Sequence, residues 1–498
     1  MTDAFVAIDL GAESGRVVVV ALDESRSSFE LFEVHRFPTK TIQLPSGLHW
    51  DLGGIWREIL NGLLLVAGWA SENNVTIRSV GVDTWGVDWS LVDGSGELLG
   101  LPHAYRDPRN QAAFEAVTSQ ISPGEIYDIT GIQIMPINSL FSLAAQNNQS
   151  PEMIQAARRM LFVPDLLHFF LSGQMQNEGT IASTSQLIDI HTKTWSPRLL
   201  ELCGMTSEQF GQPVPPGSVI GEITKQVAGE SGLPRDVQVV APASHDTASA
   251  VAAIPAEPNS NWCFISSGTW SLVGAELDQP CLSEAAKEAM FTNEAGVGGT
   301  TRFLKNIAGL WLVQQCRRAF ASRGQSYSYD DLTELANLAE PFRTLIDPAH
   351  EPFATPGRML KKIDQFAIDT GQPVPETPGD YLRCSLESLA LAYRQTVSRL
   401  QSVLGRRFEV IHIVGGGSRN QLLNQMTADA TGLPVVAGPI EAAAIGNALV
   451  QAMGAGMFKN INEVRALIGQ VIEPQRFEPA ESHRWQEATG QFSELVSK

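Results

Sequence analysis

One carboxylate, Asp246, stands in Ala243-Ser244-His245-Asp246-Thr247-Ala248-Ser249-Ala250-Val251, where a β-branched run, 237–240, gives way to a small-residue run, 248–253. The pattern predicts a strand ending in a tight turn that opens a helix. Asp246 would meet the first helical N–H groups, whose roughly half positive charge holds a carboxylate ionised and favours phosphate nearby. An ionised carboxylate there can take a proton from a hydroxyl. An aspartate in that place also serves as a plain helix cap.

The second stretch with chemistry in it is the start of the chain. Residues 5–10 and 17–22 read as strands, and Gly11-Ala12-Glu13-Ser14-Gly15-Arg16 is a turn of hairpin length between them. Successive N–H groups in such a turn cradle phosphate oxygens. Asp9, at the mouth, is placed to orient Mg²⁺ through its waters. A plain glycine hairpin has the same pattern. A similar unit recurs at 262–274, where Ser266-Ser267-Gly268-Thr269 separates two apolar runs. Two such hairpins some 250 residues apart suggest an internal duplication.

A third turn, Gly415-Gly416-Gly417-Ser418-Arg419-Asn420, follows the apolar run 410–414. Glycine there lets a purine or ribose lie against bare backbone. The dinucleotide fingerprint is absent, and so is Gly-x-x-x-x-Gly-Lys-Ser/Thr.

The elements positioning these residues alternate between strand and helix. Residues 56–70 and 382–404 are amphipathic at helical period, and a further helix runs through 314–321. Residues 80–89 read as a strand bent at Gly86, where glycine marks close approach by backbone or ligand. Trp85 and Trp89 beside it suit either a sugar face or the core. Residues 153–172 hold helical runs, the second starting at Pro164-Asp165, with Asp165 structural.

Composition sets the outer bounds. A chain of 498 residues exceeds one hydrophobic core and predicts two or three domains. Its net charge of −19 argues against a nucleic-acid surface. Arg16 is the only cation within residues 1–22, so phosphate there would rely on backbone N–H groups and a divalent metal. Apolar runs are too short to span a bilayer, no export segment is expected, and five scattered cysteines fit reduced thiols in the cytoplasm.

Taken together, Asp9-Leu10-Gly11, Ser267-Gly268-Thr269, Gly415-Gly416-Gly417 and Asp246 resemble the FGGY carbohydrate kinases, over roughly residues 5–456. Asp83-Thr84-Trp85-Gly86-Val87-Asp88, the His245-Asp246-Thr247 core and Lys305-Asn306-Ile307-Ala308-Gly309-Leu310-Trp311 sharpen the resemblance. One departure is Asn138-Ser139-Leu140-Phe141, where the family usually has a lysine-containing run.

The resemblance implies an α/β fold of two duplicated actin-like, ribonuclease-H-like ATPase domains facing across a central cleft. The expected segments are 1–253, with the sugar site and first phosphate loop, 254–456, with the second loop and adenosine site, and a C-terminal extension, 457–498. It implies ATP-dependent phosphorylation of a ketose at O1, L-rhamnulose first, with L-fuculose or L-xylulose as alternatives. A non-kinase actin-like ATPase is the reading from another class. By the resemblance Asp246 is the general base, and Gly86, His245 and Thr247 join it in contacting the ketose. Ala12, Glu13, Ser14, Gly15 and Arg16 meet the ATP phosphates, with Asp9 near Mg²⁺. Thr269, Asn306, Gln314 and Gly416 hold the rest of the nucleotide. A cytoplasmic monomer or homodimer is expected, without nucleic-acid or membrane partners.

Overall fold

The computed structural model describes residues 2–258 and 260–496. Residues 1, 259, 497 and 498, which fall within the expected segments, lie outside the described residues.

Four consecutive valines, 17–20, and the apolar run 4–8 favour extended backbone because branched side chains pack well on a pleated surface. Thr2–Leu10 and Ser14–Leu22 accordingly form an antiparallel hairpin in register from Asp3↔Leu22 to Leu10↔Gly15. On its other side Thr2–Leu10 runs parallel to Val75–Thr84, which sets Asp9 opposite Asp83. Gln238–Ala241 pairs in parallel with Val75–Thr84, and Ser218–Glu222 closes that edge antiparallel. Phe29–Pro38 lies antiparallel to Ser14–Leu22 at the opposite edge. Helix Leu52–Asn73, capped by the Asp51 carboxylate accepting the Gly54 N–H, buries Ile55, Ile59, Leu63 and Val66 in this sheet's core.

The second sheet repeats this plan. Trp262–Ser267 forms an antiparallel hairpin with Trp270–Leu277 and runs parallel to Val410–Val414. Val435–Ala437 continues in parallel, and Gln475–Phe477 closes the edge antiparallel. Hairpin, two parallel neighbours and an antiparallel edge occur in the same spatial order twice, as the duplication predicts. The edge strands enter differently: Ser218–Glu222 precedes its partner in sequence, whereas Gln475–Phe477 follows its own.

The chain divides into two compact units, each drawn from separated segments. The first takes the chain up to Glu257, Glu276–Phe303 and Ala442–Val471; the second takes Pro258–Ala275, Leu304–Glu441 and the chain from Ile472. This grouping in space differs from a linear division at 253 and 456. Helix Ala442–Gly454 joins the first unit because Asn447 and Gln451, one turn apart, bond to its sheet. Gln451 donates to the Val6 carbonyl (3.0 Å) and accepts from Ser79 Oγ (2.6 Å).

Two local expectations are corrected. Residues 80–89 are not one bent strand: Val75–Thr84 ends, and Trp89–Val92 pairs instead with Arg159–Phe162. Between them Val87 holds φ 69°, a left-handed conformation costly for a β-branched residue, and that reversal breaks the strand. Residues 153–172 likewise contain the strand Arg159–Phe162 between helices Pro151–Ala156 and Val163–Ser172. Among the described residues no helix is long and apolar enough to cross a membrane.

Candidate active site

Three parallel strands of the first unit end at the same level, which in open α/β sheets is where ligands bind. Their carboxyl ends are tied by backbone hydrogen bonds: Trp85 N–H donates to Leu10 O (3.2 Å), and Thr84 N–H to Ser244 O (2.9 Å). Asp9, Asp83 and Asp246 are thereby brought close enough to feel one another's charge. Their environments differ sharply. Asp9 Oδ2 accepts two hydrogen bonds from Arg16, from Nε at 2.9 Å and Nη2 at 2.6 Å. Asp83 is fully buried, accepts from Asn447 Nδ2 at 2.6 Å, and has a second oxygen, Oδ1, with no hydrogen-bond partner among the described residues. Burial, then the charge of Asp9, pushes its carboxyl well above the usual range.

Asp246 is the first residue of helix Asp246–Ala252, with His245 as N-cap, and its side chain stays about 30% exposed. The helix terminus is not the only influence on its charge. Burial, with the charge of Asp9, raises its carboxyl above the ordinary value despite the opposing pull of His245 and Thr247. Loss of water around the anion is the first cause of that rise. Thr247, buried, donates its hydroxyl to Asp246 Oδ1 (3.1 Å). His245 Nε2 lies 3.4 Å from the same oxygen. A Cβ at Gly86 would come within 3.4 Å of His245 Nε2 and 3.2 Å of Thr184 Oγ1, so glycine keeps that side of the imidazole clear. Trp85 and Trp89 are core residues: their indoles donate to Asp88 (2.8 Å) and Ser142 (2.7 Å).

In the first hairpin, Gly11 N–H donates to Ser14 O (3.0 Å), and Thr39 fastens the turn through Gly11 O and Glu13 O. Ala12 and Ser14 are half-buried and Glu13 is exposed. Gly15 has a packing reason: a Cβ there would stand 2.6 Å from both Leu10 and Phe37.

In the second unit, Gln314 Nε2 donates to Thr269 Oγ1 (3.3 Å), joining two of the predicted nucleotide residues. Leu310 N–H and Trp311 N–H donate to the carbonyls of Gly268 and Thr269, seating helix Trp311–Ala321 on the second hairpin turn. Gly417 packs on that turn too, since a Cβ there would fall 2.0 Å from Ser267 Oγ. A Cβ at Gly416 would meet nothing within 4 Å, which leaves that backbone open. Asn306 lies on the strand Thr301–Ala308 of the same sheet.

Residues 4–253 match the N-terminal domain of the FGGY family of carbohydrate kinases, and residues 263–455 match its C-terminal domain. The chain belongs to this family. It is thus a sugar kinase with the family's two-domain fold. It is 44% identical to a rhamnulokinase of Bacteroides thetaiotaomicron, over 100% of both chains. A rhamnulokinase of Oceanobacillus iheyensis is 39% identical over 94% of this chain and 97% of its own. A gluconate kinase from Lactobacillus acidophilus superposes with TM-score 0.80 at 16% identity, covering 100% and 98% of the two chains. The xylulose kinase of that organism gives 0.80 at 16% identity over 99% and 98%.

Several residues supporting this FGGY site escaped the sequence reading. Glu178, fully buried, accepts from Ser244 N–H (3.1 Å) and from both Thr180 N–H and Oγ1, while Thr180 Oγ1 accepts from His245 N–H. Arg302 and Glu294 reach His245 from neighbouring strands. Asn447 and Gln451 were the most findable, as two amides at i, i+4 in an otherwise apolar helix (442–454).

Proposed function

We propose that the protein transfers the γ-phosphoryl group of ATP to the O1 hydroxyl of L-rhamnulose, giving L-rhamnulose 1-phosphate and ADP, with Asp246 as general base. The observation that carries this reading is the contrast among the three carboxylates. Asp9 is taken up by Arg16 and Asp83 is sealed under Asn447, while Asp246 keeps an exposed edge beside them. It is the member of the trio that a substrate hydroxyl can reach. The rhamnulokinases at 44% and 39% identity support the choice of sugar.

In this reading the ketose lies against Gly86, His245, Asp246 and Thr247. O1 attacks the γ-phosphorus, its proton passes to Asp246, and ADP leaves. Thr247 holds the Asp246 carboxylate by its hydroxyl, fixing the direction in which the free lone pair points. Residues 12–16 take the phosphates, and Thr269, Asn306, Gln314 and Gly416 the rest of the nucleotide. The donors suit Mg²⁺: Asp9 and Asp83 offer oxygen, and Asp83 Oδ1 is a buried oxygen with no hydrogen-bond partner among the described residues. An ion held by one or two carboxylates keeps its waters and the substrate phosphates as its other ligands. Mg²⁺ bound there spreads the charge of the transferring group. The enzyme works in the cytoplasm as a monomer or homodimer.

ADP release measured with L-rhamnulose, L-fuculose and L-xylulose tests the acceptor. L-Rhamnulose is expected to give the highest kcat/KM, and ATP hydrolysis indifferent to sugar would overturn the kinase reading. Asp246→Asn is expected to fold and bind ATP yet lose at least about 10² of phosphorylation rate, the low end for a lost general base. Near-normal turnover would remove Asp246 from that role.

A further inference from the structure

His245 is held from behind by charges that no step above uses. Arg302, on the strand Thr301–Ala308, is fully buried. Its Nε donates to the Ala295 carbonyl (3.0 Å), and its Nη2 lies 3.1 Å from His245 Nδ1 and 3.0 Å from Glu294 Oε2. Glu294, on the strand Thr292–Ala295, is buried with it. An arginine is a donor at every nitrogen and has no lone pair to offer. The contact at 3.1 Å is therefore a hydrogen bond only if His245 Nδ1 accepts, which puts the ring proton on Nε2. Glu294 Oε2 stands farther from Nδ1, at 3.4 Å, and is held by Arg302 as an ion pair at 3.0 Å, with no hydrogen-bond partner of its own among the described residues. The remaining groups around the residue fit this state. Thr180 Oγ1 accepts from the His245 backbone N–H, and Asp246 Oδ1, an acceptor, lies on the Nε2 side. Gly86 keeps that side clear of a side chain.

We propose that Arg302 is a positioning residue: seated on Glu294, it fixes His245 in the form protonated at Nε2, so that the imidazole presents one aimed N–H donor to a sugar oxygen beside Asp246. The planar guanidinium suits the task because one nitrogen meets ring and carboxylate together while Nε anchors the side chain to backbone; a lysine ammonium cannot reproduce that fork. With the other tautomer, Nε2 would turn an acceptor lone pair toward a carboxylate that also only accepts. The tautomer itself rests on the protein alone, whereas the sugar contact rests on the proposed function.

The test is side-chain nitrogen NMR of histidine-labelled full-length protein without sugar, the His245 signals being assigned with His245→Gln. Wild type is expected to show a protonated Nε2 and a bare Nδ1; a protonated Nδ1 overturns the proposal before any variant is made. In Arg302→Gln/Glu294→Gln, which removes both buried charges together, the tautomers are expected to mix. The ketose KM should then rise about tenfold, as for one oriented hydrogen bond lost, while the ATP KM moves less than about twofold by the same scale. Glu294→Gln alone leaves the arginine contact and should keep the tautomer. An unchanged tautomer in the double variant, or both KM values rising together, overturns the positioning role. If the double variant does not fold, Arg302→Leu/Glu294→Gln, which removes the donor and both charges, carries the same comparison. Failure of wild type to phosphorylate ketoses would instead strike the proposed function and leave the tautomer result standing.

Discussion

Burial raises the cost of ionising Asp246, and the general base proposed for it must be ionised to work, so the proposal meets its test in the pH profile. With the folded carboxyl above its ordinary value of 3.8, the active form is fully present only above that raised value. The acid limb of kcat/KM is expected to fall as pH drops through a midpoint above 3.8, as read from initial rates under low-substrate conditions. A midpoint at or below that value would show that some other group titrates. Arg16 invites a different expectation. Its guanidinium is spent on Asp9, so Arg16→Ala strips a nearly buried carboxylate of two charge-assisted bonds as well as altering the hairpin proposed to hold phosphate. The variant should raise the KM for ATP and lose about 2 kcal/mol of stability; denaturant unfolding and nucleotide titration read the two effects separately. At this scale Asp246 and the hairpin were legible because their neighbours are local in sequence. Arg302, Glu294 and Glu178 were not, because each reaches His245 or Ser244 from 49 to 66 positions away, a distance over which no periodicity or turn signal speaks.

Between elements, the contact of helix Ala442–Gly454 with helix Asp246–Ala252 is set by a missing side chain. A Cβ at Gly446 would fall 1.8 Å from Ser249 O, a backbone atom that cannot rotate away. Alanine ordinarily favours a helix interior by about 1 kcal/mol over glycine, but overpacking costs about 1–3 kcal/mol, so the clash wins. Gly446→Ala is expected to lower the melting temperature and reduce kcat, since Ser249 lies on the helix that carries Asp246. Unchanged stability would mean the two helices are less tightly docked. The hairpins, their parallel neighbours and the long helix Pro378–Leu404 could be read from alternation, valine runs and helical period. The break at Val87 could not, since a valine at φ 69° contradicts its own propensity and is imposed by surroundings: Thr184 Oγ1 accepts its N–H and Ser139 Oγ donates to its carbonyl.

Across the whole molecule, duplication was visible in the sequence as two similar hairpins, but the way the chain distributes itself between the units was not. Sheet edges and a helix supplied from the far end of the chain leave no mark on local composition. The first unit needs Asn447 and Gln451 to satisfy Asp83, Gly81 and Val6. A fragment ending at Glu257 would leave those groups facing an uncovered sheet. Such a fragment is expected to be cut rapidly by protease and to lack a cooperative thermal transition, whereas the full chain resists; a stable fragment would show that the helix is dispensable.

The same threading orders events at the ribosome. The residues up to Glu257 emerge first, but the helix that completes their sheet begins at Ala442. At roughly 5–20 residues per second the gap lasts about 10–40 s. For that interval the nascent first unit waits with one apolar face unfinished, a window in which holdase chaperones have something to bind and slower decoding past Glu257 would lower the yield of native enzyme.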